Sequence, residues 1–237
     1  MKNLRATLFA TCLLGGALTS RSQIFLDSRW TTFNSQPSIA VPDMNLGGVT
    51  DTETISLGAA YNKLASISIF VDVEADFDGD LYAYVQHGST YAVLLNRPGR
   101  TTGNTFGYAD KGFTITLRDG APNGDVHNYQ NVMTPATGTK LMGTWQPDAR
   151  AVDPRTSLST SQRTAFLSAF QGQDPNGEWT LFVADSSSGG TAKILEWGVI
   201  VTAVPEPRAT AAFIASVLVA FASYRKLREL GKFKPHS

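Results

Sequence analysis

Residues 72 to 80 carry the densest chemistry in the chain. Asp72, Glu74, Asp76, Asp78 and Asp80 place a carboxylate at every second position. In an extended chain alternate residues share a face, so these groups repel one another unless water or a cation intervenes. No Lys or Arg lies between Lys63 and Arg97 to neutralise them locally. Oxygen-rich turns suit a hard cation such as Ca²⁺, which takes about 6–8 oxygens. Asp76, Asp78 and Asp80, around Gly79, are therefore candidate calcium ligands, and Asp185 is a fourth if the fold brings it near. The competing reading is a solvated acidic turn in which Asp80 bonds the turn backbone. An EF-hand is excluded: Gly79 stands fourth rather than sixth, and His87 occupies the place of the bidentate Glu.

Catalytic chemistry has little to work with. The histidines are His87, His127 and His236, and a triad needs a base held against a nucleophile. His87 and His127 both fall in loop-like stretches with no nucleophile context. No His-Glu-x-x-His, Gly-x-Ser-x-Gly or P-loop occurs. The expectation is that the chain is not an enzyme, a hydrolase on an unrecognised site being the outlying alternative. Tyr82, Tyr84, Tyr91 and Tyr108 could stack on sugars, or could be half-buried packing residues. Residues 23–204 hold 11 Lys/Arg against 18 Asp/Glu, a net of −7. That balance disfavours nucleic acid as a partner.

The elements that must position these residues read as strands. Period-two alternation marks Thr50 to Leu57, Leu64 to Val73, Leu81 to Gln86, Tyr91 to Leu95 and Phe113 to Leu117. Trp179 to Ala184 and Leu195 to Val201 flank the turn Asp185-Ser-Ser-Ser-Gly-Gly190 and read as a hairpin with both tryptophans buried. The good helix candidate is Thr160 to Phe170, with Phe166, Leu167 and Phe170 as its apolar side. Many short strands predict an all-β, jelly-roll-like sandwich.

Both ends read as export signals. Lys2 and Arg5 precede an apolar run from Ala6 to Leu18, then polar residues to Ser22, as in a secretory signal peptide. The lone cysteine, Cys12, lies inside that segment, so residues 23–203 form a domain without thiol chemistry. At the other end Pro205, Glu206 and Pro207 precede an apolar run to Ala222 and the basic residues Arg225, Lys226 and Arg228. A marginal spanning helix with a basic cytoplasmic side follows from that order.

Two families carry these motifs. The Pro-Glu-Pro, short helix and basic end of residues 204–237 resemble the PEP-CTERM sorting signal of Gram-negative bacteria. Asn176-Gly-x-Trp179-Thr-Leu-x-Val-x-Asp185, with Val41-Pro42-Asp43, Gly79-Asp80-Leu81 and Gly143-Thr-Trp-Gln-Pro147, resembles the P (P/Homo B) domain of proprotein convertases. Ala75-Asp76 replace that family's His-Thr, and residues 118–163 match little of it. The first resemblance implies passage through the Sec machinery, an inner-membrane-anchored precursor facing the periplasm, cleavage by an exosortase, and delivery to the cell surface or matrix of an exopolysaccharide-producing bacterium. The second implies a β-sandwich P domain without its protease domain. Together they predict a non-enzymatic structural or adhesive module, in contact with exopolysaccharide or other envelope proteins. The alternative is a carbohydrate- or protein-binding accessory module of a secreted enzyme system.

Overall fold

The computed structural model describes residues 24–25, 38–59, 61–204 and 207–229. The expectations for residues 1–22, Pro205 and Glu206 lie outside the described residues.

The alternation of apolar residues sets the architecture. In β4 (Lys63–Ala75), Ile67, Ile69, Val71 and Val73 are buried, while Ser66, Ser68, Phe70 and Asp72 face outward. β4 is central in a six-stranded sheet of order β1-β10-β4-β7-β8, formed with β1 (Ile24–Phe25), β7 (Gly112–Leu117), β8 (Leu141–Trp145) and β10 (Ala192–Val204). β2 (Ile39–Val41) also pairs with β10. A four-stranded sheet of order β3-β9-β5-β6 contains β3 (Asn45–Ile55), β5 (Leu81–His87), β6 (Thr90–Asn96) and β9 (Gly177–Asp185). Every named pairing is antiparallel except β7 with β8. The two inner faces bury one core, which includes Trp179, Leu181, Leu81 and Val85 from the small sheet and Trp197, Ile69, Phe113 and Ile115 from the large one. This is the all-β sandwich that strand periodicity predicts.

Two expectations need correction. β9 and β10 do not form a hairpin: β9 pairs with β3 and β5, and β10 pairs with β1, β2 and β4 in the other sheet. The polar loop between them crosses the sandwich edge. Gly189 and Gly190 take φ of 100° and 86° there, a conformation open to glycine at little cost. The burial forecast stands, since both Trp179 and Trp197 are fully buried. Trp197 Nε1 donates to Asp51 Oδ2 at 2.7 Å, tying the large sheet to β3 of the small one. The predicted helix over residues 160–170 is reduced to a 3-10 turn, Leu167–Phe170. Leu167 and Phe170 are buried in the common core, and the backbone N–H groups of Leu167 and Ser168 donate to Asp119.

The segment before that turn has a clear task. Asp148 N donates to Leu94 O, Ala149 N to Val93 O, and Val93 N to Ala165 O, at 2.9–3.0 Å. Residues 148–165 thereby cover β6, whose residues Ala92 to Asn96 are all buried. An edge strand is shielded from further pairing in this way. A helix, α1 (Pro207–Glu229), follows β10, and its side chains from residue 215 to 227 are exposed. Among the described residues no helix is long and apolar enough to cross a membrane.

Candidate functional site

The acidic run does not converge. Asp72 and Glu74 point off β4 to Lys140 and Lys193. Asp76 meets Lys111 Nζ at 3.1 Å and accepts from Thr191 N at 2.8 Å. The Lys111 and Thr191 hydrogen bonds hold its carboxyl below the ordinary value. Asp78 is fully buried and accepts from Gly112 N at 2.7 Å and Tyr129 Oη at 2.8 Å. Asp80 faces Arg97 at 3.5 Å. The three carboxylates named as candidate calcium ligands thus turn to three separate sets of partners. Among the described residues no group of three or more His, Cys, Asp or Glu side chains is arranged to hold a metal. Gly79 is there for packing: a Cβ at this position would stand 2.1 Å from Phe106 O. Asp185 lies close enough to Asp80 and Asp43 to feel both, and its carboxyl is raised to about 6, chiefly by burial.

Asp78 belongs to a different device. Tyr129 Oη lies 2.8 Å from Asp78 Oδ2 and 2.6 Å from Asp110 Oδ2. One phenol carries one hydrogen, so it cannot donate to both carboxylates. The arrangement is satisfied when the buried Asp78 carboxyl keeps its proton and donates to Tyr129 Oη, leaving the phenol hydrogen for Asp110. Burial pushes Asp78 up to about 7, against the lowering effect of its bonds from Tyr129 and Gly112.

The two described histidines, His87 and His127, hold structural contacts. His127 is fully buried, with Nδ1 2.8 Å from Asp148 Oδ2 and Nε2 3.0 Å from Arg100 O. His87 ends β5, stacks on Trp179 with 4.3 Å between ring centroids, and meets Glu178 O and Asp174 O, each at 2.8 Å. Each ring nitrogen already faces an oxygen, so neither ring is placed to take a proton from a nucleophile.

The outer face of the four-stranded sheet is where the remaining candidates gather. Period two brings Tyr82 and Tyr84 of β5 and Phe182 of β9 onto that face, and Tyr84 and Phe182 are direct cross-strand partners. Their rings stack at 4.7 Å with 16° between planes. Tyr82 stands 6.1 Å from Phe182, and Tyr91 of β6 stands 6.1 Å from Tyr84. Tyr91 is 45% exposed. Burial pushes the Tyr82 phenol up to about 12, so it remains a neutral donor at physiological pH. Tyr108 is elsewhere, edge-on to Tyr129 at 4.6 Å. Neighbouring outward positions are mostly neutral and polar, among them Thr50, Thr52, Thr54, Thr180 and Gln86. An open cleft of about 490 Å³ runs between Tyr82, Tyr84 and Phe182 on the sheet and Asp153, Pro154 and Arg155 on the loop. Asp153 and Arg155 pair at 3.3 Å. Sequence reading found three of the aromatics but missed Phe182 and the loop wall. Phe182 reads as one residue of an apolar strand, and nothing local in residues 153–155 points to β5.

No protein-family model and no curated protein matches the chain. Among solved structures it is similar to a serine protease of Aeromonas sobria, at 13% identity over 70% of this chain, with a TM-score of 0.38. It is also similar to that protease in complex with its chaperone, at 12% identity and a TM-score of 0.37. In each case the chain spans 24% of the length of the solved chain. These comparisons do not bear out the expectation of a non-enzymatic structural or adhesive module: both similar structures are of a serine protease. At this similarity the likeness gives the present chain no activity of its own.

Proposed function

We propose that the chain is a carbohydrate-binding accessory module that works beside a secreted enzyme. The observation that carries this reading is the contiguous aromatic face of Tyr82, Tyr84, Tyr91 and Phe182, set against a polar loop wall. Aromatic rings offer sugar C–H groups a flat apolar surface, while phenols and the loop side chains offer hydrogen bonds to hydroxyls. A core packing role does not require four rings on the solvent side of a sheet.

Export is part of the proposal and rests on sequence: the signal-like residues 1–22, and Pro205-Glu206-Pro207 with Arg225, Lys226 and Arg228 as an exosortase signal. The finer description, a P-domain-like jelly roll with a hydrophobic C-terminal helix, rests on the motifs quoted above. The test is affinity electrophoresis of the protein in gels containing polysaccharide. Retardation that is lost in Tyr84→Ala supports the reading. Unretarded migration in every polysaccharide, with a protein captured through the same face instead, replaces it with protein binding.

A further inference from the structure

Resting on that reading, we infer that the cleft between β5, β9 and residues 153–155 selects an uncharged glycan chain, and that Asp153 enforces the choice by neutralising Arg155. Among the described residues whose side chains line the cleft, only Asp153 and Arg155 are charged, and each is the other's partner. Arg155 Nη1 donates to Asp153 Oδ2, and Asp153 Oδ1 accepts from Arg155 N at 2.8 Å. The pair is held in one turn, with Thr156 and Ser157 N–H groups donating to Asp153 O. The guanidinium therefore arrives at the cleft already matched. It keeps N–H groups for sugar hydroxyls, and Asp153 keeps lone pairs for them, but the site holds no net charge.

A uronate or sulfated chain would meet a carboxylate of its own sign beside the arginine and, among the described lining residues, no second cation to offset it. A neutral pyranose meets the Tyr84 and Phe182 rings on its apolar face and the ion pair on its hydroxyl edge. Both charged side chains are largely exposed, so the pair contributes little to folding. Changing it therefore alters selectivity without unfolding the sandwich.

The experiment uses the full chain in affinity gels containing either a neutral β-glucan or alginate, a polyuronate. Wild type is expected to be retarded by the β-glucan and not by alginate. Asp153→Asn, which keeps the Oδ1 acceptor of the turn but frees the arginine charge, is expected to gain retardation in alginate. Arg155→Ala is expected to weaken β-glucan binding roughly five- to tenfold, the scale of one or two lost hydrogen bonds. Equal or stronger retardation of wild type by alginate, lost in Tyr84→Ala, overturns the neutral-chain inference while leaving the carbohydrate reading in place. An Asp153→Asn protein that still ignores alginate overturns the role given to Asp153. No retardation by either polymer overturns the neutral-chain inference, and the carbohydrate reading falls with it if every other polysaccharide also leaves the protein unretarded.

Discussion

Replacing Asp78 with asparagine should make the protein less sensitive to pH and more stable at pH 8. The folded-state carboxyl sits at about 7 against an ordinary 3.8, with burial as the main cause. Between those two values the folded protein holds a proton that the unfolded chain has released. Stability therefore falls as pH rises through that window, and levels off above it as far as this group is concerned. Three units at 1.36 kcal/mol each set an upper bound of about 4 kcal/mol. About half of that bound, ~2 kcal/mol, is the expected loss. The asparagine side chain of Asp78→Asn would keep the acceptor for Gly112 N and add an N–H donor facing Tyr129, imitating the protonated acid at any pH. Urea denaturation at pH 5 and pH 8 measures both proteins. Asp185, raised to about 6, adds a slope of the same sign, so the variant's curve flattens without becoming level. Parallel curves for the two proteins, or a variant clearly weaker than wild type at pH 8, would refute the reading that folded Asp78 holds its proton.

Other outcomes follow from packing and backbone geometry. Trp179→Ala removes a fully buried ring that stacks on His87 and lies tilted against Phe170, and should cost about 3–5 kcal/mol in chemical denaturation. Trp197→Ala should cost about the same, and Trp197→Phe should cost less, through the lost Asp51 hydrogen bond, about 1–2 kcal/mol, and the smaller ring. Ala149 holds a φ of 60°, a left-handed conformation that costs an L-residue roughly 1–2 kcal/mol. Ala149→Gly should therefore raise the melting temperature, and a drop would show that the conformation carries no strain. Gly79→Ala should lower it by many degrees, since the new methyl meets the Phe106 and Gly107 backbone, which cannot yield as a flexible side chain would. Intact mass of the protein from its native host should lack Arg225, Lys226 and Arg228, and a full-length C-terminus beside an active exosortase would remove the sorting proposal.

Strand faces were legible because one face of each strand meets a single shared core. Ile67, Ile69, Val71 and Val73 announced β4 and its inward side in the sequence alone. Partner choice was not legible. Trp179 and Trp197 look like the two arms of a hairpin, yet their strands enter opposite sheets, because β9 is claimed by β3 and β5 on its two edges. The acidic run misled for a related reason. Its neutralising cations are Lys111, Lys140, Lys193 and Arg97, remote in sequence and adjacent only once the sheets form. Gly79 looked like loop chemistry, and its reason is a backbone contact with residue 106 that no local pattern encodes. The aromatic face was half legible: Tyr82 and Tyr84 declare a common side, but the loop that walls the cleft lies about seventy residues away in the chain.

The central claim is that the outer face of β5, β6 and β9 binds a glycan. Isothermal titration of a soluble neutral β-glucan into wild type and into Tyr84→Ala tests it most directly, with circular dichroism confirming that the variant keeps its fold. The account predicts saturable binding to wild type and at least about tenfold weaker binding to the variant, a loss of ~1.4 kcal/mol. Equal affinities for the two proteins, or no heat of binding to wild type from this or any other glycan, would contradict it.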